Sequence, residues 1–135
     1  NPRPSLDALK KFYTSSLAVH FLINEFFKPV MESRRNSIFK PRAEYACKIF
    51  SGRMPALIGD IGAGFGIFLE ELKKIWPSAR FVAIEPSPEQ ADICRNKGLE
   101  VQCFALEELK GFKGQFDLVT AFELLEHIFD SGDFL

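Results

Sequence analysis

Three glycines at alternate positions stand in the middle of the chain, directly after a short apolar run. They are Gly62, Gly64 and Gly66, and the run 56–61 before them contains Asp60. Glycines in a tight turn take positive φ and let backbone N–H groups approach a ligand closely. The helix that follows presents unpaired N–H groups and the positive end of its dipole. This spacing predicts a binding site for a carboxylate, a phosphate or a ribose.

A second acidic residue follows the glycines at the spacing expected of a ribose contact. Glu85 comes roughly twenty residues after them, directly behind the apolar run 80–84. An acidic side chain at this distance from a glycine loop accepts hydrogen bonds from ribose hydroxyls. We therefore predict a nucleoside-containing cofactor. The alternative is an exposed carboxylate at the strand end that caps the helix beginning at Ser87.

Such side chains meet only if the strands that carry them end at one edge of a sheet. From residue 56 onward, apolar runs alternate with helical stretches, which predicts an α/β fold with a Rossmann-like parallel sheet. The predicted strands are 56–61, 80–84, 100–104 and 116–122, and the predicted helices are 66–75, 87–98 and one that starts at 124. The helix 87–98 is expected to open with Ser87 as N-cap, Pro88 at N1 and Gln90 at N3 in a capping box. Ligands of such sheets bind outside the carboxyl ends of the strands, where the strand order reverses.

The first fifty residues predict helices instead of strands. One helix is expected from Ser5, as N-cap, and Pro29 should end or kink it. A polar loop or frayed turn at 31–40 and a second helix from Pro41 to Phe50 should follow. We define residues 1–53 as the helical prefix and 54–135 as the Rossmann-like domain. The apolar surplus of the prefix must pack on that domain or on a partner, because two isolated helices cannot bury it.

Composition excludes several functional classes. The 135 residues are 47% hydrophobic with a net charge of −1, which argues against a nucleic-acid partner. The apolar run 17–27 is interrupted by His20, Asn24 and Glu25 and is too short for a membrane span. The three cysteines lack a C-x-x-C pair, so free thiols in a reducing, cytoplasmic setting are expected.

The glycine run also departs from the dinucleotide fingerprint G-x-G-x-x-G. The third glycine comes one residue early, and Ile67 follows it. With Asp60 included, the run D-x-G-x-G-x-G resembles motif I of the class I S-adenosylmethionine-dependent methyltransferases. The resemblance extends to the acidic strand end at 82–85 and to residues 116–127 (FDLVTAFELLEH), which look like the fourth-strand signature of ubiquinone-biosynthesis-like and related small-molecule methyltransferases.

The resemblance implies S-adenosylmethionine as cofactor and a role for each matching position. The three glycines would cradle its amino-acid end, Asp60 would orient that loop, and Glu85 would hold the ribose. The wall near the sulfonium would consist of Ala121, Phe122 and Glu123. Family members usually carry an Asp after the third strand for the adenine amino group. Here the corresponding residues are Phe104, Ala105 and Leu106, so backbone groups of 105 and 106, or Glu107, would replace that contact.

The reaction implied is direct methyl transfer to a small-molecule acceptor, with O-methylation favoured over N- or C-methylation. Alignment of donor and nucleophile in a dry site supplies much of the rate. His127 is the candidate general base if the acceptor must lose a proton, but a structural hydrogen bond near the helix start is favoured over that role. No metal is predicted, because His127, Glu123 and Asp130 lack a ligand spacing such as H-E-x-x-H.

Two other functions remain open from the sequence. One is a non-catalytic module that binds S-adenosylmethionine or serves assembly, and the other is a fragment of an NAD-dependent dehydrogenase. A class I methyltransferase core is similar to a seven-stranded sheet, whereas this sequence predicts four strands. We therefore expect the N-terminal part of a longer enzyme, in which the apolar edge of the fourth strand is covered by the prefix or by a second copy in a homodimer.

Overall fold

The computed structural model describes residues 4–51, 53–104, 114–128 and 132. Its centre is a four-stranded parallel sheet with the strand order β3-β2-β1-β4. The strands are β1 (Leu57–Ile61), β2 (Arg80–Ile84), β3 (Glu100–Gln102) and β4 (Leu118–Ala121). The chain runs outward from β1 to β3 and then returns to the other side of β1. This arrangement confirms the predicted α/β, Rossmann-like sheet and places its reversal point between β1 and β4.

Helices α5 (Ile67–Ile75) and α6 (Pro88–Asn96) connect the first three strands. Apolar residues of α5 pack on the sheet, and Phe68, Leu69 and Leu72 are fully buried there together with Ile58 of β1. The alternation of buried strands with an amphipathic helix follows from the apolar spacing of the sequence. The core therefore lies directly beneath the glycine turn that joins β1 to α5.

The helical prefix differs from the prediction in two ways: the helix predicted from Ser5 is divided at Ser16, and the helical path then continues through residues 17–49. It consists of α1 (Leu6–Ser15), α2 (Leu17–Phe21), a first π-helical segment (Leu22–Phe27), a 3-10 segment (Lys28–Val30), α3 (Met31–Arg34), a second π-helical segment (Arg35–Phe39) and α4 (Lys40–Ile49). A bend separates α1 from α2 at Ser16, whose backbone is extended at φ −76° and ψ 127°. Only α1 is thus set off from an otherwise continuous helical path.

The predicted loop or frayed turn at 31–40 is wrong, because these residues are helical. Of the two effects predicted for Pro29, it does not end the helical path: it stands at the start of the 3-10 segment, where its missing N–H is tolerated. The polar residues that suggested a loop lie on a helical surface. Ser37 Oγ donates to the carbonyl of Ser33, and Arg35 pairs with Glu70 and Glu71 of α5 at 2.8 and 2.6 Å.

The second half of the prefix packs on the Rossmann-like domain. Ala43 of α4 is buried in the main core, and the Phe50 ring meets the Trp76 ring edge-on with centroids 5.8 Å apart. By contrast, α1 contributes no buried residue. None of the described helices is long and apolar enough to cross a membrane. The prefix is therefore anchored through α4, with α1 at its free end.

Candidate functional site

A cavity of about 380 Å³ opens at the carboxyl edge of β1, β2 and β4, beneath the helical prefix. Its floor comes from the strand ends and the turn after β1, namely Asp60, Gly62, Ala63, Gly64, Phe65, Glu85, Pro86, Phe122 and Glu123. Its roof comes from the prefix, with Leu6, Leu9, Tyr13, Phe27, Met31, Arg34, Phe39 and Arg42 among the contributing side chains. Three carboxyl groups lie on the floor, whereas the roof side chains are mainly apolar and aromatic.

Most of the sequence-predicted site residues meet in this cavity. Those in its wall are Asp60, Gly62, Gly64, Glu85, Phe122, Glu123 and His127. Gly66 and Ala121 do not contribute to the wall. Ala105 and Leu106, and the alternative adenine contact Glu107, lie outside the described residues. The structure thus gathers residues that are 67 positions apart in the chain around one space.

The glycine turn has the backbone geometry that its sequence requires. Gly62, Gly64 and Gly66 have φ values of 71°, 56° and 70°, a region that strains residues with a Cβ. Gly66 has a further role, because a Cβ there would stand 2.6 Å from Leu99 Cδ1. It permits close packing of the turn against the segment after α6. At Gly64 the nearest atom to such a Cβ is 3.8 Å away, so the turn is open there, whereas a Cβ at Gly62 would stand 3.0 Å from Leu124 Cδ1.

Glu85 joins the glycine turn to the start of α6. Its side chain is buried, Oε2 accepts from the Gly64 N–H at 2.7 Å, and Oε1 accepts from the Ser87 N–H at 2.8 Å. Burial raises the pKa of this carboxyl to about 7, and the two N–H donors oppose that rise. The alternative of an exposed carboxylate is wrong, although the side chain does bond at the beginning of the helix.

The predicted capping box of α6 is also wrong in part. Ser87 is the N-cap and Pro88 opens the helix as expected, but the Ser87 side chain makes no capping hydrogen bond. The Glu85 carboxyl binds the backbone N–H of Ser87 instead. The Ser87 hydroxyl and the Glu85 carboxyl can both accept from N–H groups at this helix start, and in the structure the Glu85 carboxyl does so.

Asp60 forms the second buried carboxyl of the floor. Thr120 of β4 donates its hydroxyl to Oδ1 at 2.7 Å. Burial raises the pKa of Asp60 to about 7, and the charge of Glu85 adds to the rise, whereas the Thr120 hydrogen bond and the Arg42 charge oppose it. Near neutral pH both carboxyls are therefore partly protonated, and a cation or hydroxyl donor that binds at the floor displaces protons from them.

Two arginines of the prefix reach the end of β4. Glu123, just past the strand, has a positive φ of 53°, and its Oε1 accepts from Arg42 Nη2 at 2.8 Å. Arg34 Nη2 lies 3.8 Å from Oε2 of the same carboxylate. The Arg42 hydrogen bond lowers the pKa of Glu123 below its usual value. The Arg42 guanidinium also stands 4.7 Å from the Phe122 ring centroid.

Sequence reasoning missed both arginines and the aromatic roof. Arg34 falls in a stretch that was predicted to be a loop, and Arg42 lies on a helix without any motif. Their common feature is a long-range contact with Glu123, and residue spacing carries no signal for such a contact. The cluster of Phe residues in the prefix was the available hint that this segment covers something apolar.

His127 lies at the rim of the cavity in a 3-10 turn, Leu125–His127, where a longer helix was predicted to start. Its side chain is exposed, and its ring meets the Tyr13 ring edge-on at 6.2 Å between centroids. Burial and the charges of Glu126 and Glu85 raise the pKa of the Tyr13 hydroxyl. The imidazole can thus reach a ligand in the cavity, and the geometry leaves its role open.

Comparisons with known proteins agree with this arrangement. A family model described as a methyltransferase domain matches residues 38–135. The ubiquinone biosynthesis O-methyltransferase of Methylocella silvestris is 34% identical over 101 residues, which cover 70% of this chain and 38% of that protein. That of Bradyrhizobium diazoefficiens is 30% identical over 105 residues, covering 67% and 40% of the two chains. The chain thus spans about two fifths of the length of these curated relatives.

Solved structures agree in fold. A plantazolicin methyltransferase in complex with SAH superposes with a TM-score of 0.63 at 19% identity, over 84% of this chain and 45% of that chain. At this identity the likeness concerns the fold alone. It includes more of the chain than the Rossmann-like domain by itself, so part of the helical prefix has a counterpart there.

Proposed function

Because the chain belongs to the class I S-adenosylmethionine-dependent methyltransferase family, we propose that it binds S-adenosylmethionine and serves methyl transfer to a small-molecule acceptor. The observation that carries the proposal is the contact between the glycine turn and the acidic strand end. Gly64 N and Glu85 Oε2 lie 2.7 Å apart at the floor of one cavity. A single adenosyl ligand that spans both groups fits this arrangement.

The floor suits each part of that cofactor. The buried Glu85 carboxyl is an acceptor for two ribose hydroxyls, and the glycine turn, which lets a ligand approach the backbone without a Cβ in the way, suits the amino-acid end. Asp60 would orient the turn and face the amino group. Ala121, Phe122 and Glu123 would form the wall near the sulfonium, and backbone groups at Ala105 and Leu106 would meet the adenine. Gly66 would act indirectly, by holding the turn against Leu99.

The chemistry of the bound cofactor is supplied by its sulfonium, which makes the methyl group electrophilic. The chain's own residues have three tasks: they align the acceptor, exclude water and remove a proton where the acceptor has one to lose. The apolar roof of Tyr13, Phe27 and Phe39 suits the exclusion of water. His127, at the rim, is our candidate for the proton acceptor.

We favour a hydroxyl group as the acceptor atom. The curated relatives are named O-methyltransferases of ubiquinone biosynthesis, which supports transfer to oxygen of a small molecule. A non-catalytic binding module and an NAD-dependent dehydrogenase receive no such support from the comparisons. The His127→Ala variant tests the proposed base: transfer to a hydroxyl acceptor should fall at least tenfold, whereas affinity for the cofactor product stays the same.

Calorimetric titration of the 135-residue chain tests the cofactor assignment. S-adenosylhomocysteine should bind, and NAD should not. Binding of NAD alone, or of neither compound, would contradict the proposal. Transfer of a labelled methyl group from S-adenosylmethionine to a hydroxyl acceptor then distinguishes an enzyme from a module that only binds.

We also propose a homodimer and a cytoplasmic setting. In the described part of the chain β4 is an edge strand, and Val119 on it is 49% exposed. A second copy would cover this edge, and edge strands are commonly covered. The free thiols Cys47, Cys94 and Cys103 suit a reducing compartment. Light scattering coupled to gel filtration should give the dimer mass, and a monomer at all concentrations would refute the pairing.

A further inference from the structure

Glu89, the second residue of α6, attaches the middle of the helical prefix to the Rossmann-like domain. Its Oε2 lies 2.9 Å from His20 Nδ1, and its Oε1 accepts from Asn24 Nδ2 at 3.1 Å and from Lys28 Nζ at 3.2 Å. We call residues 17–30 the lid segment. In the described part of the chain, every side-chain hydrogen bond or ion pair from the lid segment to that domain ends on this one carboxylate.

The three partners of Glu89 meet one carboxylate because they are spaced by four positions. Residues four apart lie on the same face of a helix. The partners also bind each other, since Lys28 Nζ donates to Asn24 Oδ1 at 2.6 Å and Asn24 Nδ2 donates to the His20 carbonyl at 2.9 Å. The lid segment therefore presents a prearranged set of polar groups to the start of α6.

The Glu89 carboxylate is charged at neutral pH. Burial opposes its ionisation, but the hydrogen bonds from His20, Lys28 and Asn24 outweigh this effect and lower the pKa of the carboxyl below its usual value. Its position in the first turn of α6 also favours a negative charge. The side chains of Glu89 and Lys28 are 31% and 39% exposed, so water weakens their attraction without abolishing it.

The start of α6 is also part of the floor of the main cavity. Glu85 Oε1 accepts from the Ser87 N–H at 2.8 Å, and Oε2 of the same carboxyl accepts from the Gly64 N–H at 2.7 Å. Ser87 is the N-cap of α6, and Glu89 follows two residues later. The lid segment is thus attached to the element that carries the proposed ribose contact.

A second cavity, of about 310 Å³, lies beside the contacts of Glu89. His20 of the lid segment and Ser87 and Glu89 of the α6 start belong to its wall. Tyr13 and Thr14, near the end of α1, border both this cavity and the main one. Only the end of α1 separates the two spaces there, so movement of the lid segment away from α6 would open a side passage to the main cavity.

We propose that Glu89 is a latch, which holds the lid segment closed over the cavity and so controls how fast the cofactor enters and leaves. The inference rests on the proposed function for the identity of that ligand. The lid segment can move because Ile23 is its one buried side chain and because it follows the extended backbone at Ser16. Glu89 is therefore a positioning residue, and opening of its contacts gates ligand exchange.

Hydrogen exchange of the ligand-free chain tests the latch without any ligand. Amides of the lid segment should exchange at least roughly fivefold faster in Glu89→Gln than in the wild type, as loss of charge-assisted hydrogen bonds implies. Asp92→Asn is the matched control, because it neutralises a carboxylate on the same helix that pairs only with Arg95 at an exposed i,i+3 site. Amides of α4 should be unchanged in both variants.

Stopped-flow measurement of S-adenosylhomocysteine exchange tests the gating. Release should be at least roughly fivefold faster in Glu89→Gln, and association should also be faster, because both require the open lid. The equilibrium affinity should therefore change less than the release rate. Damage to the binding site itself would speed release without speeding association.

A double-mutant cycle with Lys28→Met separates the latch from the helix dipole of α6. The Lys28→Met and Glu89→Gln changes remove the same contact, so the double variant should release the ligand more slowly than the product of the two single effects predicts. The interaction of Glu89 with the dipole does not involve Lys28. If the dipole alone mattered, the two effects would multiply.

Three results would overturn the inference. They are equal lid-segment exchange in the wild type and Glu89→Gln, faster release without faster association, and multiplying effects in the cycle. If Glu89→Gln does not fold, His20→Ala combined with Lys28→Met removes partners of the latch from the other side and carries the same measurements. Failure of the wild-type chain to bind S-adenosylhomocysteine would refute the proposed function, whereas faster lid-segment exchange in ligand-free Glu89→Gln would still support the latch.

Discussion

Two carboxyl groups that are buried at one floor give the site its electrostatic character. Asp60 and Glu85 lie on neighbouring strands, and burial raises the pKa of each to about 7. Their hydrogen-bond partners are a hydroxyl and two backbone N–H groups, with no cation bound directly. Such groups hold protons that a cationic or hydroxyl-rich ligand displaces, so ligand binding and protonation are linked.

Stability should therefore fall as pH rises from about 4 to about 7. The unfolded chain loses these protons near the ordinary values of 3.8 and 4.5, whereas the folded chain retains them up to about 7. Because the folded state binds more protons in this window, each group lowers the free energy of unfolding by up to about 1.4 kcal/mol per pH unit. Urea unfolding at pH 5, 6 and 7 measures the slope.

Asp60→Asn should reduce that slope by the contribution of one group. The asparagine oxygen can still accept from the Thr120 hydroxyl, so the hydrogen bond is kept while the titratable carboxyl is removed. The carboxyls of Glu70, Glu71, Glu89 and Glu123 have lowered pKa values and act in the opposite direction, but only in more acidic solution. An unchanged slope in Asp60→Asn would contradict the assignment of Asp60.

Glu85→Gln tests the proposed ribose contact. A carboxylate accepts from two hydroxyls, whereas an amide offers one acceptor and presents its NH₂ group to Gly64 N or Ser87 N. We expect S-adenosylhomocysteine to bind at least roughly tenfold more weakly, as loss of a charge-assisted hydrogen bond implies. Glu100→Gln is the matched control, because Glu100 is exposed on β3 and pairs with Arg80. Equal affinities of the two variants would argue against ribose binding at Glu85.

At the scale of elements, the turn after β1 depends on Gly66 for packing. A Cβ at this position would stand 2.6 Å from Leu99 Cδ1 and 3.0 Å from Cys94 Sγ, at a φ of +70°. Gly98 has a similar φ of +73° and nothing within 4 Å. Substitutions at Gly66 and Gly98 separate the cost of steric overlap from the cost of the backbone conformation, because Gly66 has both and Gly98 has only the second.

Gly66→Ala should lower the free energy of unfolding by roughly 2–4 kcal/mol, and Gly98→Ala by about 1 kcal/mol. Chemical denaturation of both variants measures the difference, with the dependence on denaturant concentration compared to confirm that the same surface unfolds. Equal losses would mean that Leu99 and Cys94 move aside freely and that only the positive φ is costly.

The strands and their connecting helices were predictable because their signal is local. Apolar runs, the Pro88 start and the glycine spacing each depend on neighbouring residues, and β2 has the predicted bounds. The prefix was not predictable in the same way. Polar residues at 32–37 suggested a loop, but Arg35 reaches two carboxylates of α5, more than thirty positions away. Long-range ion pairs of this kind override local polarity.

At the scale of the molecule, local sequence signals predicted the floor of the site but not its roof, which depends on long-range contacts. The floor consists of residues at fixed distances from the ends of parallel strands, so Asp60, Gly62, Gly64 and Glu85 followed from the sequence pattern. The roof consists of residues that converge only after the prefix has packed over the edge of the sheet. The positions of Arg34 and Arg42 at the site were therefore found only from the structure.

The prefix should also divide into a stable and a labile part. α4 places Ala43 in the core, with 1% of its surface exposed, whereas α1 buries no residue and joins the rest through the extended Ser16. Yet α1 supplies Leu6, Leu9 and Tyr13 to the cavity roof. Because α1 borders the cavity and has no buried residue, we expect a ligand bound in the cavity to order this helix.

Hydrogen exchange with and without S-adenosylhomocysteine measures this coupling. Amides of α4 should exchange slowly in both states, whereas those of α1 should exchange quickly in the free chain and at least roughly tenfold more slowly when the ligand is bound. Tyr13→Ala should remove part of the ligand effect in α1, because the ring that faces Glu85 and His127 is lost. The exposed Phe12, next to it on α1, is the matched control as Phe12→Ala. Slow exchange of α1 without ligand would show that the roof is preformed, and the acceptor would then need another route into the cavity.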